Sequence, residues 1–156
     1  MCALIALAFA PAFASPQLEL KGLHPGMTRE EAKTILPTTQ GLTLGGVQPY
    51  TSAAPLIVRY RDERVEAITF VFRPRDFDRI REALQSKYAA MTCAESVLHN
   101  GFGAPVAQVA CRLSDGDLLL TAQRYAGNIE MGSVDLRRAP DPAQTQLQKK
   151  KNTQDL

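Results

Sequence analysis

The sequence predicts an α+β domain: an antiparallel sheet of about five or six strands with two helices packed on one face. Three observations carry this. Apolar residues recur at helical spacing from Phe77 to Met91. Short segments with strand-like patterning are separated by tight-turn signals such as Asn100-Gly101 and Asp115-Gly116. The 156 residues are 45% apolar and 22% charged, a globular composition, and a chain of this size buries about 68–70 % of its unfolded surface.

Met1 to Ala14 carries no charged side chain. Its apolar run Leu4 to Ala10 is broken by Pro11 and followed by the small-x-small triplet Ala12-Phe13-Ala14. This pattern reads as a secretory signal peptide, 1–14, cleaved between Ala14 and Ser15; a buried N-terminal helix is the alternative. Cys2 precedes the apolar run, so it leaves with the signal and no lipid anchor is expected. The mature chain then holds a single α+β domain, 15–138, and a polar tail, 139–156, rich in Pro, Gln, Lys and Asp that is expected to be disordered. No apolar run after the signal is long enough to span a membrane. The expected location is periplasmic or secreted.

Within the domain, Leu18-Glu19-Leu20 reads as a short first strand and Pro25-Gly26 as a turn. Thr28-Arg29-Glu30-Glu31 is a capping box, with Met27 placed to staple onto Ala32. Ala32, Ile35 and Leu36 form the helix stripe, and Pro37 is expected to end it. The Gly-, Thr- and Pro-rich stretch 38–54 reads as a loop. Leu56 to Arg61 and Val65 to Phe72 form a hairpin closed at Asp62-Glu63, with Ile68, Phe70 and Phe72 on one face. Asp76 is placed to cap a second helix whose stripe is Phe77, Ile80, Leu84, Tyr88 and Met91. Cys93 to Leu98 and Pro105 to Leu113 form a second hairpin, Asp115-Gly116 reads as a type I′ turn, and Leu118 to Arg124 and Ile129 to Leu136 complete the sheet.

Cys93 and Cys111 are each nine residues from Phe102, the middle of the second hairpin's turn. Folding about Phe102 sets them opposite one another, at a separation of about 4.5 Å if the pair is not hydrogen-bonded. That lies within disulfide range and suits an oxidising compartment. Two inert buried thiols are the alternative.

No catalytic constellation is legible. His24 and His99 each sit beside a turn signal, and neither stands at ligand spacing with another His, Asp or Glu. There is no Gly-x-Ser-x-Gly elbow, and Gly41 to Gly46 lacks the Lys-Ser/Thr of a phosphate loop. No catalytic residue, cofactor or metal is assigned. A net charge of +2 does not fit a dedicated nucleic-acid binder. Arginine supplies twelve of the eighteen basic residues, and seven of the twelve fall between Arg59 and Arg81, interleaved with acids. Two readings stand: a surface of exposed ion pairs, each contributing about 0–1 kcal/mol, or an arginine-lined face for a protein or anionic ligand. On the second reading the candidate face is Arg59, Tyr60 and Arg61.

The stretch Lys21-Gly22-Leu23-His24-Pro25-Gly26-Met27-Thr28-Arg29-Glu30-Glu31-Ala32 resembles the Gly-Met-Thr opening of small bacterial envelope modules of the SmpA/OmlA type, outer-membrane assembly lipoproteins. Related domains share the fold of the β-lactamase inhibitor protein, a helical segment followed by an antiparallel sheet. The family has a second helix directly after the first, whereas here Leu36-Pro37 leads into a Gly-rich loop. The resemblance implies fold and compartment and carries over no binding residue. The functional expectation is an exported non-enzymatic module that binds another envelope or secreted protein, as an adaptor or as an inhibitor of a secreted enzyme. The alternative is a small-ligand or lipid-binding periplasmic domain that uses the open sheet face.

Deleting Ala139 to Leu156 is expected to change stability by no more than about 0.5 kcal/mol. Thermal unfolding of the truncated chain checks this, and a large fall in Tm would show that the tail docks.

Overall fold

The computed structural model describes residues 18–39, 41–51 and 55–139. The expected signal segment, with its Ala14–Ser15 junction, and the tail beyond Ala139 lie outside the described residues. Two helices, α1 (Arg29–Ile35) and α2 (Phe77–Lys87), accompany six strands. These are β1 (Ile57–Arg61), β2 (Arg64–Phe72), β3 (Thr92–His99), β4 (Pro105–Asp115), β5 (Leu118–Gln123) and β6 (Gly132–Arg138). The fold is α+β and mostly sheet. All neighbours are antiparallel, in the order β1-β2-β6-β5-β4-β3. The connection through α2 carries the chain from β2 to the far edge, and a meander returns until β6 closes against β2.

Alternation along the strands defines the core. Ile68, Leu136 and Leu120 lie in one cross-strand row, and Phe70, Val134, Ala122 and Cys111 in the next. All seven are buried in one cluster with Phe77, Ile80 and Leu84 of α2 and Ala32 of α1. Phe72 stacks between Phe70 and Phe77, with ring centroids 6.3 and 6.4 Å away. The opposite side of the sheet carries a polar cluster: Thr69 and Ser133 both donate to the Asp135 carboxylate, each at 2.6 Å.

The capping box forms as its residues predict. Thr28 Oγ1 accepts from the Glu31 backbone N–H at 3.2 Å, and the Glu31 carboxylate accepts from the Thr28 N–H at 2.8 Å. The Thr28 backbone and hydroxyl donors hold the Glu31 carboxyl below its ordinary range, so this contribution is present above the ordinary glutamate range and is lost as pH falls through the lowered value.

Three local expectations need correction and one, at Pro37, a refinement. Leu18 to Leu20 is not a sheet strand: Leu20 makes an isolated bridge to Leu23 across the positive-φ pair Lys21-Gly22, and the leucines enter the core directly. Pro37 does stop α1, whose C-cap is Leu36, but the chain keeps turning in a short 3-10 helix, Leu36–Thr39, that contains the proline. Asp76 makes no side-chain cap; a preceding 3-10 turn, Pro74–Asp76, supplies the carbonyl of Pro74 to the first helical N–H instead. The β4–β5 turn is centred on Gly116-Asp117, and Gly116 alone has positive φ, whereas type I′ requires two such residues.

The 38–54 stretch is a packed loop over its described part. Gly45 and Gly46 turn the chain so that Leu44 bridges Val47. A side chain at Gly45 would lie 2.7 Å from Ala83 Cβ and 2.9 Å from the Arg79 carbonyl. These glycines serve close approach to α2.

Cys93 and Cys111 are opposed in the β3–β4 register and form a disulfide, closing a loop worth about 3 kcal/mol in the chain-entropy model. Purified protein lacking residues 1–14, and with them Cys2, should therefore show no free thiol until reduced; a titration giving two reactive thiols would contradict the bridge. Gly132 sits under Phe72, where an added Cβ would come within 2.5 Å of the ring. Gly132→Ala is expected to cost about 1–3 kcal/mol by overpacking, measured by urea unfolding; an unchanged midpoint would show that the ring does not pack there.

Candidate functional site

β1 is an edge strand, and its residues alternate exposed and half-buried from Ile57 to Arg61. Its register against β2 breaks between Arg59 and Tyr60: Arg59 faces Ala67, Tyr60 faces Val65, and Glu66 is the extra residue of a bulge. The bulge lets Val65 and Ile68 both enter the core despite their odd spacing. It leaves Glu66 half-buried beside Arg61, with which it forms an ion pair.

The predicted trio is thereby divided. Arg59 and Arg61 are exposed and line an open cleft. Tyr60 packs against the core cluster. Its ring lies under the Arg29 guanidinium, 4.5 Å from ring centroid to Cζ. Arg29 Nε is also 2.8 Å from Glu63 Oε2, close enough for an ion pair but not aligned for a hydrogen bond. This corner is stitched to β2 by backbone hydrogen bonds from Gly26 N–H to the Val65 carbonyl and from Val65 N–H to the Met27 carbonyl, both 2.8 Å.

The cleft encloses about 540 Å³. Arg59 and Arg61 meet Arg64 from β2 and Arg137 and Arg138 from β6 there, against the carboxylates of Asp62 and Glu66. Five guanidinium groups facing two carboxylates give the cleft a positive field that can steer anionic partners. Three of the five are committed within the fold. Arg61 pairs with Glu66, Arg64 donates to the Gly26 carbonyl at 2.8 Å, and Arg138 Nε lies 3.5 Å from Asp117 Oδ2. Sequence reading missed Arg137 and Arg138. They belong here because the end of β6 runs antiparallel to β2, a pairing that no local motif announces. The remaining arginines of the Arg59–Arg81 run go elsewhere: Arg79 reaches the Gly46 turn, and Arg81 pairs with Asp78 on α2.

The histidines do not meet. His24 Nδ1 lies 3.2 Å from the Pro25 carbonyl near the cleft end of the sheet, and exposed His99 ends β3 at the opposite end. No group of three or more His, Cys, Asp or Glu that could hold a metal occurs among the described residues. No helix among them is long and apolar enough to cross a membrane.

A second surface lies at the β3–β4 turn. Phe102 is 98% exposed, held out by a loop in which Asn100 Oδ1 accepts from the Phe102 and Ala104 N–H groups at 3.0 and 2.9 Å. Beside it a pocket of about 390 Å³ is lined by Leu98, Val106, Tyr125 and Ile129.

No protein-family model, curated protein or solved structure matches this chain. Its function has to be argued from the sites themselves.

If Tyr60 serves the core and Arg59 the surface, the two respond unequally to truncation. Tyr60→Ala is expected to cost about 2 kcal/mol through lost packing, and Arg59→Ala no more than about 0.5 kcal/mol. Denaturant unfolding of both variants measures this, and equal losses would contradict the division.

Proposed function

We propose that this chain is an exported, non-enzymatic module that binds another envelope or secreted protein through the arginine cleft, as an adaptor or as an inhibitor of a secreted enzyme. The observation that carries the reading is the convergence of five arginines from three strands on one open cleft. A merely solvated ion-pair surface would distribute its cations among matching acids; this cleft holds more than twice as many cations as carboxylates. Arginine suits such a face because its planar fork pairs bidentately with carboxylates and its stem covers apolar surface. Export is supported by the sequence of residues 1–14 and by a disulfide placed to hold an edge strand. The Gly26-Met27-Thr28 resemblance to SmpA/OmlA-type envelope modules agrees with it. On this reading the helices cover one side of the sheet, and the other side with its bounding cleft remains open to a partner.

A small-ligand reading has one supporting observation, the apolar pocket beside Phe102. It would use the opposite end of the sheet from the cleft.

Affinity capture from a cell-envelope extract tests the main reading, with the mature chain and its Arg59→Glu/Arg61→Glu variant as parallel baits. A protein retained by the parent and lost from the variant is the expected result. A protein retained equally by both would overturn the cleft as the binding face. No specific protein on either bait would shift the weight to the small-ligand reading.

A further inference from the structure

We infer that Arg59 and Arg137 form a two-pronged anion site astride Ala67, and that its ligand is an acidic peptide segment presenting carboxylates to both guanidinium groups. This rests on the binding-module reading above and assigns the chemistry of its partner.

The site follows from register. Arg59 is the cross-strand partner of Ala67 on β2, and Ala67 is the partner of Arg137 on β6. Directly opposed residues project to the same side of a sheet, so the two arginines flank one methyl group on the outer face. Their backbones are separated by two strand spacings, about 9.5 Å. Ala67 is 2% exposed although it lies outside the core cluster, and so is Leu119, at 3%, on the other side of Arg137. That burial is what arginine stems laid over apolar neighbours produce, with the charged heads directed outward.

These two arginines also differ from their neighbours in what they bind within the fold. Arg61, Arg64 and Arg138 have the partners Glu66, the Gly26 carbonyl and Asp117. The side chains of Arg59 and Arg137 make no ion pair or hydrogen bond among the described residues. The bulge explains the difference on β1: it delivers Glu66 to Arg61 and leaves Arg59 opposite a methyl group. Two guanidinium groups with no partner among the described residues, held on a preorganised sheet, can each take a carboxylate bidentately.

The charge pattern selects the ligand class. Asp62 and Glu66 border the same cleft beside the two arginines, so a dense polyanion running through the cleft would also meet carboxylates there. A net charge of +2 is also small for a phosphate-backbone binder. A peptide with spaced carboxylates meets the two free cations and avoids the two acids.

Fluorescence anisotropy of a labelled octapeptide of alternating Glu and Gly tests this, with a Gln/Gly octapeptide as the neutral control. The mature chain is compared with Arg59→Gln, Arg137→Gln and, on α2's approach, Arg75→Gln. The expected result is binding of the Glu peptide alone, weakened about tenfold by Arg59→Gln and by Arg137→Gln and unchanged by Arg75→Gln. Thermal unfolding confirms that each variant is folded, which the exposure of these side chains favours. Equal binding of the Gln peptide, or equal weakening by all three variants, would overturn the site. Displacement of the Glu peptide by inorganic phosphate at lower concentration than by unlabelled peptide would overturn the peptide assignment. Absence of Glu-peptide binding together with an envelope partner that depends on Arg59 and Arg61 would overturn this inference and leave the binding-module reading standing.

Discussion

The pairing of β2 with β6 joins parts of the chain about 65 residues apart, and both the core and the cleft depend on it. It aligns Ile68 with Leu136 and Phe70 with Val134 on the buried side, and Ala67 with Arg137 on the open side. Closure of so long a loop costs entropy, but that cost grows only logarithmically with length, and the apolar rows offset it. Asp135 holds the register. Its two carboxylate oxygens accept from Thr69 across the strand and from Ser133 along it. A one-residue slip would break the Thr69 bond and turn Val134 and Leu136 to the solvent side.

The bulge on β2 converts that register into a surface with two kinds of arginine. It spends one residue, Glu66, to keep Val65 in the core. The same displacement neutralises Arg61 and leaves Arg59 opposite Ala67. The bulge and arginines also blunt β1 as a sheet edge. At the other edge β3 is unbulged along all eight residues and exposed throughout, and the disulfide to β4 holds it. The molecule therefore has a basic end, at the close of β6, and an apolar end, at Phe102, and the two differ in the chemistry they offer.

Much of this was legible in the sequence wherever the signal was local. Thr28 and Glu31 announce a cap, the Phe77-Ile80-Leu84 spacing announces α2, and the symmetry of Cys93 and Cys111 about Phe102 announces both the hairpin and its bridge. Arg59 and Arg61 were legible as candidates because they stand out by type and spacing. Non-local or register-dependent features were not legible. Tyr60 alternates with its neighbours, yet its assignment to the core depends on where it pairs. Arg137 and Arg138 look like the polar end of a last strand until β6 is set beside β2. Asp76 carries a strong capping preference that the adjacent 3-10 turn overrides.

The most direct test of the account is where an acidic ligand touches the folded protein. Amide shifts of the nitrogen-15-labelled chain lacking residues 1–14, followed while the alternating Glu-Gly peptide is titrated, report this residue by residue. The largest changes should fall together on Arg59, Ala67 and Arg137, across three strands that the β1–β2 and β2–β6 registers bring side by side. Changes concentrated on Leu98, Phe102 and Ile129, with those three unmoved, would contradict it.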